Sequence, residues 1–197
     1  MKRSIYQGIL AAGALLIFSG YAFADSGAMV SLQPASSTIS TGDTATVDVN
    51  ISGVSDLYAY QFDVLFGAAT VSNTSETEGS FLAGGGTTFF IPGTVDNVGG
   101  SVTETANTLI GAISGVDGSG TLVVLQFTGL APGTTSIDLA NVILLDSNLN
   151  SIDFTTDDAS LTVQGGGVPA SEPSDLLLLG MGVITLVGFA RRKVAMT

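Results

Sequence analysis

Residues 29–164 alternate between short runs of period-two hydrophobicity and clusters of Gly, Asn, Asp and Ser. Strands joined by turns produce this pattern. Val47, Val49 and Ile51 alternate with Thr46, Asp48 and Asn50. Tyr58, Tyr60, Phe62, Val64 and Phe66 fall on one face of an expected long strand. Leu57, Ala59, Gln61, Asp63 and Leu65 fall on the other. Segment 121–128 is nearly continuous apolar sequence, which predicts a central strand covered on both faces. Further strands are expected at 30–32, 88–91, 101–109, 137–145 and 161–163. Segment 75–82 is the one stretch suited to a helical turn. About nine short strands with no long amphipathic helix predict an all-β fold, a jelly-roll β-sandwich. Roughly 135 residues are enough to bury one core.

The two ends break the pattern. Lys2 and Arg3 precede an apolar run from Ile9 to Phe18, and Ala22-Phe23-Ala24 follows. A positive region, a short apolar region and small residues at two alternate positions form a secretory signal peptide. Residues 1–24 are expected to be that signal, with Ala22 and Ala24 read by signal peptidase. At the other end, Gly165-Gly166-Gly167 makes a flexible tether. Val168-Pro169-Ala170-Ser171-Glu172-Pro173, an apolar run from Leu176 to Ala190, and Arg191-Arg192-Lys193 follow. That run spans roughly 22 Å as a helix, short of the ~30 Å hydrocarbon core. It still suits a membrane segment with its basic tail on the cytoplasmic side.

Charge reinforces this division. Five Lys or Arg stand against seventeen Asp or Glu, giving a net charge of −12. All five basic residues lie at Lys2, Arg3, Arg191, Arg192 and Lys193, so no cation occurs between Ser4 and Ala190. Nucleic-acid binding is excluded on that ground, because phosphate contacts need Lys or Arg. The chain contains no His and no Cys. Disulfides, thiolate metal sites and Cys or His catalysis are therefore ruled out. A glycosidase needs two carboxylates across a cleft, usually beside aromatic platforms, and the chain has no Trp. The sequence is read as non-enzymatic, with no cofactor.

Two other chemistries match parts of the sequence. Asp146, Asn148 and Asn150 place oxygen ligands at alternate positions, and Asp153 and Asp157 follow. The spacing is superficially that of a Ca²⁺ loop, but Ser151 stands where such a loop needs Gly. A hairpin turn rich in Asn and Asp is the favoured reading. Tyr58 and Tyr60 could stack on sugars, but they share a face with Phe62, Val64 and Phe66, which favours packing in the core.

The C-terminal arrangement resembles the PEP-CTERM sorting signal of bacteria that use an exosortase. Pro169, Glu172, Pro173, Arg191, Arg192 and Lys193 carry the resemblance, with Ser171 in place of the usual first Pro. In the middle, Thr41-Gly42-Asp43-Thr44, the segment from Gly53 to Asp63, and Glu78-Gly79-Ser80-Phe81-Leu82 occur in order. Phe89-Phe90, Gly118-Ser119-Gly120-Thr121-Leu122 and the segment from Val142 to Asn148 complete the series. This ordered set resembles a cohesin domain.

The resemblance implies a jelly roll, related to carbohydrate-binding modules, that binds dockerin modules. It implies partner contacts from the strand carrying Ala59, Gln61 and Asp63. The Asn and Asp typical of the family fall at Ala59 and Gln61, so only Gln61 keeps a polar side chain. The expected organisation is a signal peptide at 1–24, a cohesin-like sandwich at 25–164 and a linker with sorting motif at 165–173. A transmembrane helix and basic tail follow at 174–197. The expected protein is exported to the cell surface or extracellular matrix and processed by an exosortase. There it binds a dockerin-like or other surface protein or, as the alternative, exopolysaccharide.

Overall fold

The structure, a computed structural model, describes residues 27–166. It contains twelve strands and one short helix: β1 Ala28–Gln33, β2 Ser36–Ser40, β3 Thr44–Leu57, β4 Ala59–Phe66, β5 Val71–Glu78, α1 Ser80–Ala83, β6 Thr88–Ile91, β7 Thr94–Asp96, β8 Ser101–Leu109, β9 Val116–Gly129, β10 Gly133–Leu145, β11 Phe154–Asp157 and β12 Ala159–Gln164. One sheet has the order β11-β1-β3-β9-β5. The larger has the order β2-β12-β10-β4-β8-β6, with β7 also paired to β8. Among the described residues no helix is long and apolar enough to cross a membrane. The expected terminal helices lie outside these residues.

The two sheets bury their facing sides against each other. Val30 and Leu32 of β1, Val47, Val49 and Ile51 of β3, and Leu125 and Phe127 of β9 come from the smaller sheet. Tyr60, Phe62, Val64 and Phe66 of β4, Ile137 and Leu144 of β10, and Leu161 and Val163 of β12 come from the larger. Alternation along β4 therefore faces the core as the sequence predicts. The rings of Phe66 and Phe127 meet edge-on with centroids 5.3 Å apart. Burial of these side chains out of water drives the sheets together, because the described residues contain no basic side chain to form an ion pair.

Three expectations are corrected. The long strand at 57–66 is two strands. Asp56 takes a left-handed conformation with φ 58° and turns the chain, so Leu57 ends β3 and is buried rather than outward-facing. Strand β9 is not covered on both faces: Val123, Leu125 and Phe127 are buried, but Gln126 is exposed. In segment 75–82 only Ser80 onward is helical, and the preceding residues belong to β5. Strand β5 shows no alternating pattern in the sequence because it is a polar edge strand, VSNTSETE.

That polarity has a structural reason. Beside β5 the sandwich interior is a hydrogen-bonded seam rather than a hydrocarbon layer. Glu76 accepts bonds from the Thr105 hydroxyl and from the Gly93 N–H at 2.7 Å. Glu78 accepts from Thr88 at 2.6 Å and from Asn107 at 2.8 Å. The Tyr60 hydroxyl donates to the Leu122 carbonyl at 2.9 Å. Burial pushes that hydroxyl well above its ordinary pKa. Glu76, Glu78, Asn107 and Tyr60 are tolerated here because they are paired.

Candidate functional site

The outer face of the larger sheet carries a shallow trough of about 270 Å³. Strand register explains its shape. Two cross-strand rows run over β6, β8, β4 and β10. One is Phe89, Thr108, Ala59 and Leu145; the other is Ile91, Ala106, Gln61 and Ile143. Ala59, Ala106, Thr108 and the unbranched Gln61 occupy the two middle strands, and large apolar side chains occupy the outer two. The result is a low floor between two apolar ridges. Phe89 is 59% exposed, Ile91 46% and Ile143 44%. Singly exposed apolar residues are ordinary, but aligned ridges around one concavity make a candidate contact surface. Across three strand spacings the ridges stand about 14 Å apart. An α-helix with its side chains is about 10–12 Å across, so one helix lying along the strands fits between them.

Two β-bulges flank β4 just beyond Gln61. Asp63 sits on β4 between a register shift on β8 and another on β10. Its carboxylate accepts the Glu104 N–H at 2.7 Å and the Asn141 side-chain amide at 2.6 Å. Both donor residues have left-handed backbones, φ 63° and 49°.

The expected partner-contact residues therefore divide. Ala59 and Gln61 form the trough floor, whereas both oxygens of Asp63 are already engaged in holding the bulges. Sequence reasoning missed Phe89, Ile91, Ala106 and Ile143 as parts of one surface. The signal available was the outward phase of Phe89 and Ile91 in a four-residue strand; their meeting with Ile143 is a matter of strand order. Tyr60 is buried and Tyr58 half-buried, its hydroxyl donating to the Gly111 carbonyl at 2.6 Å. Among the described residues Phe89 is the exposed aromatic ring.

The Asn- and Asp-rich segment after β10 forms a turn closed by the Leu145–Ser151 bridge. Asp146 accepts the backbone N–H groups of Asn148 and Asn150, both at 2.8 Å, and the Asn150 side-chain amide at 3.0 Å. The Asn150 side chain and backbone, then the Asn148 N–H, hold the Asp146 carboxyl below its ordinary pKa. Asn150 thus presents N–H rather than oxygen to Asp146. Asp153 lies beyond the bridge and Asp157 on β11 of the other sheet. Among the described residues no three acidic side chains are grouped as a metal site. Nearby, Asp56 accepts from the Ser147 hydroxyl at 2.7 Å, the Gly115 N–H at 2.6 Å and the Ser147 N–H at 3.2 Å. The Ser147 hydroxyl above all lowers its pKa.

Ala22, Ala24, Pro169, Glu172, Pro173, Arg191, Arg192 and Lys193 lie outside the described residues.

No protein-family model matches the chain, and no curated protein matches it. Solved structures do. A non-cellulosomal cohesin from the hyperthermophilic archaeon Archaeoglobus fulgidus superposes with a TM-score of 0.58 at 14% identity, over 70% of this chain and 91% of its own. CaCohA2 from Clostridium acetobutylicum gives 0.57 at 19% identity, over 73% of this chain and 94% of its own. The third cohesin ScaC from Acetivibrio cellulolyticus, solved in complex with the ScaB dockerin, gives 0.56 at 17% identity, over 69% and 98%. The described chain thus has a cohesin-like fold.

Proposed function

We propose that this chain is an exported protein-interaction module of the cohesin type, whose trough takes one helix of a dockerin-like module or of another surface protein. The observation that carries this reading is the pair of apolar ridges flanking a floor of Ala59, Gln61, Ala106 and Thr108. Their spacing suits a helix, and helix-in-groove recognition works through such an apolar stripe. That a structurally similar cohesin was solved with a dockerin supports the same choice. Exposed carboxylates with no cation between Ser4 and Ala190 favour a partner whose helix flanks are basic.

Export rests on the sequence: a signal peptidase site after Ala24 and an exosortase signal built on Glu172, Pro173 and the Arg191-Arg192-Lys193 tail. The mature protein would sit at the cell surface or in the extracellular matrix, touching membrane only through its terminal helices before processing. A catalytic role lacks His, Cys and any Lys in the body of the chain. Exopolysaccharide binding on this face is less well supported, because Phe89 would be the sole stacking ring among the described residues.

The test is capture from the secretome of the source organism. Full-length protein should retain a specific partner, and Phe89→Asp should release it. Capture unchanged by Phe89→Asp and by Ile143→Asp would remove the trough as the site. Mass spectrometry of the mature protein tests processing: a peptide running intact through Leu176 to Arg191 would reject it.

A further inference from the structure

Residues 167–197 follow the described domain and carry an apolar run, Leu176 to Ala190, in which Thr185 is the one polar side chain. The cations Arg191, Arg192 and Lys193 come directly after it, whereas the domain itself has no basic side chain. This segment suits the trough in reach, shape and charge.

Reach follows from where the chain leaves the domain. Gly165 lies beside Pro132, and Val163 of β12 pairs with Gly133 at the start of β10. The trough is at the other end of β10, at Ile143 and Leu145. From Gly133 to Ile143 the strand covers about 33 Å, and β4 lies two strand spacings, about 10 Å, to the side of β12. Residues 167–175 span about 30 Å when extended, and the first half of a helix from Leu176 adds about 12 Å. The later turns of that helix therefore reach the trough floor.

Shape matches there. As a helix, Gly182, Thr185 and Gly188 share one face, because residues three apart are neighbours on a helix surface. Small side chains on that face let the helix backbone come close to Ala59 and Ala106, and Thr185 faces the Gln61 amide of the floor. Ile184 and Leu186 fall about 100° to either side, toward the two apolar ridges.

Charge matches at the same end. Asp146 directly follows Leu145 of the trough wall. In the adjoining loops Asp56 accepts the Ser147 hydroxyl at 2.7 Å, and Asp117 accepts the Asp56 N–H at 2.7 Å. No basic side chain among the described residues balances these three carboxylates. A segment running from β12 toward the trough delivers Arg191, Arg192 and Lys193 to them, and opposite charges attract across about 10 Å at moderate salt.

We propose that in the unprocessed chain the segment Leu176–Ala190 folds back onto the trough, covering the interaction face until the bilayer takes the segment or processing removes it. This rests on the reading of the trough as a helix-docking face. A short tether gives the segment an effective concentration on the order of millimolar, so a partner helix competes at a disadvantage before maturation.

The chain has no Cys, so disulfide trapping reads the contact directly. Full-length protein carrying Ala59→Cys and Thr185→Cys is oxidised below and above the critical micelle concentration of a zwitterionic detergent. Below it an intramolecular link should form; above it, where micelles take the segment, the yield should fall at least tenfold. Ala106→Cys with Thr185→Cys should behave alike and guards against disturbance of the floor by either change. Thr46→Cys, exposed on the smaller sheet, should give no link with Thr185→Cys. Arg191→Glu, Arg192→Glu and Lys193→Glu together should lower the yield at least fivefold. No link at either floor position, equal linking at Thr46, an unchanged yield with the acidic tail, or links between molecules instead would each overturn the fold-back. Partner capture in micelles that Phe89→Asp abolishes, without the link, removes the fold-back alone; a link without any captured partner removes the partner reading alone.

Discussion

The Asp63 carboxylate holds the Glu104 N–H at 2.7 Å, and through that bond it fixes a bulge in the neighbouring strand β8. Glu104 has φ 63°, a conformation that costs a non-glycine residue about 1–2 kcal/mol. Asp63→Ala removes the acceptor for Glu104 and for Asn141 together. It is expected to destabilise the domain by about 1–3 kcal/mol in urea unfolding. Glu104→Gly relieves the backbone and should leave stability unchanged or slightly raised.

The trough ridges should matter for binding and not for folding. Phe89→Ala and Ile143→Ala are expected to weaken partner capture at least tenfold, as truncation of central anchors does. Their melting temperatures should stay within a few degrees of the parent's, because both side chains are largely exposed already. A large drop in melting temperature would assign these residues to the fold instead.

Phe62 is the opposite case. It is completely buried between the sheets and stacked beside Tyr60 with ring centroids 5.8 Å apart. Phe62→Ala should cost about 3–5 kcal/mol, through lost transfer energy and the cavity left behind. Denaturant midpoints for Phe62→Ala and Phe89→Ala, measured side by side, check the assignment of inner and outer faces.

Acid should loosen the loops at the ends of the sandwich. Asp56, Asp96 and Asp146 all have pKa values lowered from 3.8 by hydrogen bonds to their charged forms. For Asp96 the donors are the backbone N–H groups of Gly99 and Val98. A carboxylate with a depressed folded-state pKa contributes stability that is present above its unfolded value and lost as pH falls through the folded value. Melting temperature should therefore fall once pH drops below about 4, the ordinary Asp range. Asp56→Asn should blunt that fall.

Calcium should have no effect. The oxygens of Asp146 already accept bonds from Asn148 and Asn150. Neither a thermal shift nor calorimetric heat is expected with millimolar Ca²⁺. A rise in melting temperature abolished by Asp146→Ala would reverse this reading of the turn.

Strands that bury an alternating apolar face were legible in sequence, because period-two hydrophobicity directly reports one covered side. Segments 88–91 and 101–109 coincide with β6 and β8. Strands β2, β7 and β11 share the concealment of β5: SSTIS, TVD and FTTD are short and largely polar. Their backbones are held by a neighbouring strand rather than by burial of their own side chains. The break at Tyr58 was equally hidden, since Asp56 turns the chain through hydrogen bonds to Gly115 and Ser147, about sixty and ninety residues away.

By itself the sequence determined a cation-free all-β body between two basic, apolar ends, and the inward phase of β4 with it. Local periodicity and composition suffice for those properties. Only the tertiary structure decided the trough, because Phe89, Ala106, Ala59 and Ile143 become neighbours through strand order and register. It also decided that Asp63 braces two bulges and that the Thr105 hydroxyl meets the Glu76 carboxylate inside the sandwich. Those facts depend on which distant donors and acceptors the fold brings within reach, and no periodicity along the chain encodes that.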